Sequence, residues 1–257
     1  EIPEVSRQAK GQAVINLINI EPKEEIQAIL TTGSDLNQTS SAYIVLATQS
    51  GLIKKTKLSA FKNIRSSGII AIHLTSQDRL IWVKQTQGDH HMMIISKAGK
   101  AIRFSEKDVR PSGRNTKGVR GLGLKKDDRV VGMAAFPANP LPAEGRKKAF
   151  LDILVVTEKG LGKRTPVTEF PLHRRGGVGV KVAEVTGKTG EITAAIPVDQ
   201  TIEQVVITSK KAQVIKLPLK NIKRLHRASQ GVILMRFNHP NDQIAAVTTI
   251  TSAQTEP

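Results

Sequence analysis

The chain has 257 residues, with 39 Lys and Arg against 22 Asp and Glu, a formal net charge of +17 and an isoelectric point near 10.2; this excess calls for a polyanionic partner and says little about fold. Aromatic residues make up 3% of it, with one Trp (Trp82) and one Tyr (Tyr43), and there is no Cys, which argues against the stacking platforms of single-strand binders and excludes disulfides, thiolate metal sites and cysteine nucleophiles. No long apolar run, aromatic-anchored basic helix, lipidation signal or signal peptide is present, so no membrane partner and a cytoplasmic setting are expected, and duplex DNA held through its phosphates best matches charge without aromatics.

In chain order, residues 1–32 read as a partial unit, with Arg7 and Lys10 leading to Gly11 and an acidic turn at Lys23-Glu24-Glu25-Ile26. The lack of an initiator Met reads as a fragment of a longer chain. Residues 43–88 form the first complete unit. The apolar run Ile44–Ala47 and the turn to Gly51 precede a basic strand carrying Lys54, Lys55 and Lys57, then Arg65 to Gly68, then the turn Gln77-Asp78-Arg79-Leu80. Residues 89–136 repeat the order: Met93–Gly99, then Lys100 and Arg103, then Arg110, Arg114, Lys117, Gly118 and Arg120, then Asp127-Asp128-Arg129-Val130. Residues 150–198 do so with Ile153–Gly160, Lys163 and Arg164, then Arg174, Arg175, Gly179 and Lys181, and the turn Thr189-Gly190-Glu191-Ile192. Residues 203–250 close the series with Val205–Lys211, Lys216, Lys220, Lys223, Arg224, Arg227, Gly231 and Asn241-Asp242-Gln243-Ile244; residues 251–257 are a polar tail.

Each complete unit therefore carries a β-hairpin, an Arg–spacer–Gly element with a short strand, and an acidic turn with a further strand. The glycines recur roughly 50–60 residues apart, and about four short strands per unit suit a propeller blade better than a solenoid coil. The expected fold is all-β, a single domain over residues 1–250 made of four-stranded blades in a ring or open spiral. Recurrence of the cations at one phase of the repeat predicts a positive belt along the blade edges, made of the lysines and arginines named above. The glycine lets the backbone turn and brings its N–H within reach of a phosphate. Gly187-Lys188-Thr189 lacks the partner glycine and the helix of a phosphate loop. His90-His91 lacks a third ligand and is expected at a loop tip. The carboxylate pairs are expected to be structural, as is Tyr43. No catalytic or metal residue is assigned.

At Glu1-Ile2-Pro3-Glu4, Arg7–Ala13, Lys54–Leu58, Gly99–Phe104, Asp108–Pro111, Gly113–Arg120 and Gly162–Pro166 the chain resembles the family of DNA gyrase A C-terminal domains, the β-pinwheels, over its length to about Ile250. The resemblance implies six blades that exchange strands with their neighbours. It also implies duplex DNA wrapped on a basic rim, within a bacterial, nucleoid-associated A2B2 holoenzyme of gyrase A and gyrase B that introduces negative supercoils. ATP and Mg would act on other domains, and no cofactor on this one; the cleaving tyrosine would lie on another part of gyrase A. The family's box, Gln-Arg-Arg-Gly-Gly-Lys-Gly, has its nearest match in His173–Gly179, a degenerate copy, with the full box expected upstream of Glu1. The alternatives are the matching C-terminal domain of topoisomerase IV and a basic propeller that serves as a protein-interaction platform.

Overall fold

The computed structural model describes residues 42–64, 68–138 and 151–251, together with residues 24–30 and isolated positions between 6 and 20. Glu1–Glu4, Arg7, Arg65 and the tail after Thr251 lie outside the described residues. Each complete unit begins with the expected hairpin: β1 (Tyr43–Thr48) with β2 (Leu52–Lys57), β4 (His90–Ser96) with β5 (Lys100–Ser105), β8 (Leu151–Thr157) with β9 (Leu161–Pro166), and β12 (Ile202–Ser209) with β13 (Val214–Pro218). The strands after the acidic turns, β3 (Leu80–Thr86), β7 (Val130–Pro137), β11 (Ile192–Asp199) and β15 (Ile244–Thr251), pair antiparallel with the first strand of their own hairpin. The only helices among the described residues are short 3-10 turns. None is long and apolar enough to cross a membrane.

In the first three sheets the fourth strand comes from the following unit. The short strands β6 (Val119–Arg120), β10 (Val180–Lys181) and β14 (Val232–Ile233) add to β2, β5 and β9, giving the sheet orders β3-β1-β2-β6, β10-β5-β4-β7 and β11-β8-β9-β14. The last sheet, β13-β12-β15, has three strands among the described residues. The strands β3, β7, β11 and β15 pack side by side in succession. Gly132 on β7 lies so close to Ala195 on β11 that a Cβ would stand 2.5 Å from the Ala195 carbonyl oxygen. These strands therefore form the inner edges of the blades, and the exchanged strands form the rim.

The hairpins open on unbroken apolar runs because their first strands are buried on both faces. Met92 and Ile94 face a core shared with Val45, Ala47 and Ile53 of the preceding blade, whereas Met93 and Ile95 face one shared with Ile153, Val155 and Phe170 of the next. Leu154 and Val156 likewise meet Val205 and Ile207. In β12 only one face is buried, and the strand alternates. The acidic turns are structural, as expected. Asp78 accepts from Ser50 N and Oγ, at 2.9 and 2.5 Å, Asp128 from Ala98 N at 3.0 Å, and Asp242 from Ser209 Oγ and Lys211 N at 2.6 and 3.1 Å. Burial alone would raise Asp242, but these donors and the Gln243 N–H hold it below its ordinary pKa.

The hairpin glycines Gly51, Gly99 and Gly160 adopt φ of +86°, +84° and +80°, and each Cα faces backbone of the next unit, with Leu122 O 2.7 Å and Met235 O 2.5 Å from a Cβ built on Gly51 and Gly160. The last unit has Ala212 there, at φ +64°, where no exchanged strand covers the hairpin among the described residues. Replacing Gly160 by Ala is expected to lower unfolding stability by about 3 kcal/mol through strain and overlap together, whereas Ala212→Gly should change it by less than about 1 kcal/mol. Urea unfolding of the two variants checks this difference.

Candidate nucleic-acid interface

The cations assigned from sequence to one belt separate into two populations. The first stands between blades. Lys55, Arg103 and Arg164 occupy one register position on the second hairpin strands, and each donates to a carbonyl in the 3-10 turn region of the following unit. Lys55 Nζ reaches Glu106 O at 3.0 Å, Arg103 Nη1 reaches Val167 O and Phe170 O at 3.1 and 3.2 Å, and Arg164 Nε reaches Ile222 O at 2.9 Å. A diagonal neighbour on the first hairpin strand, two residues before the one paired with the cation, stands beside each of them. The Tyr43 ring lies 4.8 Å below Lys55 Nζ, His91 Nδ1 is 3.0 Å from Arg103 Nη2, and Asp152 Oδ2 is 3.6 Å from Arg164 Nη1. Burial lowers the pKa of Lys55 and Arg103, and burial together with the Arg103 charge lowers that of His91.

Lys54 and Lys163, one residue earlier, are buried and grip the loop that carries the exchanged strand. Lys54 Nζ donates to Ala71 O at 2.7 Å and to Arg114 O. Lys163 Nζ donates to His226 O and Arg227 O at 2.6 and 2.7 Å and lies 3.2 Å from Ser229 Oγ. Desolvation pulls Lys163 down to about 8, against a partial upward pull from Glu169. The aligned residue of the intervening blade is Ile102. Two buried carboxylates belong to the same interfaces and escape notice in the sequence. Glu106 accepts from Thr86 Oγ1 at 2.6 Å and His90 N at 3.2 Å, with Lys55 Nζ 3.6 Å away. Asp152 accepts from Arg224 Nε and Nη2 at 3.1 and 2.8 Å.

The second population lies on the rim. Lys57, Arg110, Lys117, Arg120, Arg174, Lys181, Lys216, Lys220, Lys223 and Arg224 are exposed, and Lys100, Arg114, Arg175 and Arg227 are half-buried; Lys10, in the partial first unit, is exposed and has no strand that places it on the rim. The arginines of the Arg–spacer–Gly element reach back to the preceding unit. Arg114 Nη1 donates to Ile70 O at 3.3 Å, Arg175 to Asp108 O and Arg120 O at 2.9 and 3.2 Å, and Arg227 Nη1 to Lys181 O at 3.1 Å. Arg175 is thereby fastened to the residue that bears exposed Arg120, and Arg227 to the one that bears exposed Lys181, so the rim charge runs on from blade to blade. Lys181 also pairs with Glu184 at 2.5 Å on the surface, a contact worth little in water.

The element's glycines do turn the chain at positive φ, with Gly118, Gly179 and Gly231 at +87°, +68° and +91°. Their Cα faces seat against Ile53 O, Ala101 O and Gly162 O of the preceding blade, so close strand exchange accounts for the residue type. His90 and His91 begin strand β4 and do not sit at a loop tip: His90 Nδ1 is 3.1 Å from Asp89, and His91 packs edge-on to Phe136. Among the described residues no three His, Asp or Glu gather as metal ligands.

The unfolded chain keeps the Lys163 proton up to its ordinary pKa near 10.5, while the folded chain loses it above about 8. Stability should therefore rise with pH across that window. Lys163→Met should remove this rise, cost about 1–3 kcal/mol by orphaning two carbonyls, and change duplex affinity less than about threefold. Thermal unfolding between pH 7 and 10, with a binding titration, checks all three.

A family model for the DNA gyrase C-terminal domain, beta-propeller, matches residues 1–32, 42–87, 90–137, 151–199 and 203–251. The DNA gyrase A protein of Staphylococcus epidermidis is 39% identical over 92% of the chain, and that of Staphylococcus aureus 37% identical over 92%. The chain spans 25% of the length of these curated relatives. A solved DNA gyrase A C-terminal domain superposes with a TM-score of 0.75 at 27% identity, over 94% of this chain and 75% of that one. The C-terminal domain of a DNA topoisomerase IV gives 0.82 at 24% identity, over 94% and 71%, which is a likeness of fold. The exchanged strands, the phased cations and these matches agree, and the chain belongs to the DNA gyrase C-terminal domain, beta-propeller family.

Proposed function

We propose that this chain is the DNA-wrapping module of a gyrase A protein: it bends duplex DNA along its rim so that the holoenzyme, with the rest of gyrase A and with gyrase B, introduces negative supercoils. The observation that carries the proposal is the fastening of two successive rim arginines to the cation-bearing strand of the unit before each, Arg175 to Arg120 and Arg227 to Lys181. A wrap needs such continuity. Bending ~40 bp through a half circle costs on the order of 10 kcal/mol by elastic theory, which a few isolated contacts cannot offset. A row of phosphate contacts can, through counterion release, and it reads little sequence. Family membership and the curated gyrase A relatives favour gyrase over topoisomerase IV. On this reading the chain performs no chemistry of its own and takes no cofactor. Strand cleavage and ATP hydrolysis, with its Mg, belong to other domains, and the setting is the cytoplasm of a bacterium, at the nucleoid.

The relevant cations are the exposed ones; Lys54 and Lys163 are engaged inside the blades. Reversing Lys117, Arg120 and Lys181 together to Glu should leave the fold intact and weaken duplex binding steeply. The slope of log affinity against log salt should become shallower by about three. A topology assay completes the test: nicked plasmid ligated with the chain bound should retain writhe, and the triple variant should retain less. Unchanged binding by the triple variant, or a flat salt response of the unaltered chain, would overturn the proposal.

A further inference from the structure

Single aliphatic side chains in solvent are ordinary on any protein surface. Here they gather on one stretch of the repeat. In the four complete units the exposed large aliphatics are Ile64, Ile70, Val119, Leu172, Val178 and Ile233, all on the rim loops or the short strands that follow them, and Val214 on the uncovered strand β13. Aligned by their glycines, Ile70 and Ile233 stand where the other two units carry Arg120 and Lys181, and Val178 stands where the preceding unit carries Lys117. The rim thus interleaves exposed cations with exposed aliphatics.

The most open of the rim aliphatics sits on a rigid mount. Val178 is 67% exposed. Its loop is tied to the preceding unit by Gly176 N to Gly121 O at 2.7 Å, by Gly123 N to Gly177 O at 2.8 Å, and by Arg175 Nε to Asp108 O at 2.9 Å. Gly179, directly after Val178, seats against Ala101 O of the preceding unit. Leu172, at the start of the same loop, is 53% exposed and bridges to Arg103. Ile70, two units earlier, and Ile233, on the following unit, are 58% and 51% exposed.

An aliphatic side chain held firmly between cations suits one task on duplex DNA. The cations hold the phosphates on either side while the apolar tip enters the minor groove, parts a base step and kinks the helix. We propose that Ile70, Leu172, Val178 and Ile233 act as minor-groove wedges, so that the wrap is a series of local kinks in place of a smooth bend. The proposal rests on the wrapping function above and adds the element that deforms the duplex. Charge complementarity singles out DNA as the occupant, because exposed Lys117, Arg120, Arg174 and Lys181 flank the row.

The test uses the 257-residue chain and 40-bp duplexes carrying 2-aminopurine at every fifth position, which brightens when its step unstacks. The unaltered chain should raise the emission severalfold on binding. The variant Ile70→Ser/Leu172→Ser/Val178→Ser/Ile233→Ser should lose most of that rise and trap less writhe in the ligation assay. It should keep the salt slope and bind within about threefold, because the phosphate contacts remain. Salt-dependent binding with no rise in emission would overturn the wedges and leave wrapping standing, as would a quadruple variant that keeps its full rise and writhe because the row serves a protein partner. Absence of salt-dependent binding by the unaltered chain would overturn wrapping itself.

Discussion

The hairpin at the centre of each blade cannot satisfy its own outer edge. Its second strand presents unpaired N–H and C=O groups along the rim, and an edge of that kind is both a cost and an invitation to aggregate. The following unit supplies the missing partner as a strand of only two residues, as with Val180–Lys181 on Lys100–Ala101. So short a ladder holds only if the chain on either side of it is fixed. Much of the local chemistry follows from that need: glycines at positive φ where the strand enters, Lys54 and Lys163 on the carbonyls of its leading loop, and arginines reaching back to the rim. Because the cores also lie between blades, stability is a chain of nearest-neighbour terms, as in other repeat architectures.

The choice of partner for the buried cations bears on function. A carboxylate would cancel the charge, whereas a carbonyl satisfies the donors and leaves the charge in place. Lys54, Arg103 and Lys163 all use backbone carbonyls. Only Lys55 and Arg164 stand within ion-pair reach of a buried carboxylate, Glu106 and Asp152 respectively. The interior cations thus hold the blades together with little loss of the positive field outside, which draws a polyanion in over distances set by the ionic strength.

Much of this fold is legible in the sequence because two-sided burial writes itself as unbroken apolar runs, and because hairpin turn, glycine and acidic turn recur in one order. The destination of each cation is not legible. Lys54 and Lys57 lie three residues apart in one strand, yet one is sealed against the carbonyls of Ala71 and, sixty residues away, Arg114, and the other is in solvent. Residue type says nothing of a partner supplied by the next unit. Glu106 leaves a faint trace, since it stands at the position held by Leu58, Val167 and Leu219 in the other units. A charge in an apolar register slot is the signal of a buried pair. The strand exchange itself leaves no mark, because a two-residue strand has no periodicity to read.

The mortar between blades and the cation-bearing rim share a single loop where Lys163 and Arg227 stand. The loop that carries Arg227 is gripped from beneath by Lys163, while the guanidinium holds Lys181 O on the rim. A change in the angle between two blades must therefore move the rim cations of both. Under the proposed function, the path offered to the phosphate backbone is set by the accumulated rotations between blades, and each rotation is fixed by side chains inside the blade interfaces. A template whose curvature is set in advance meets the cost of bending through contacts already in place, and does not have to order itself at the same time. The interior lysines, although removed from the surface, thus take part in shaping the rim on which the proposed wrap rests.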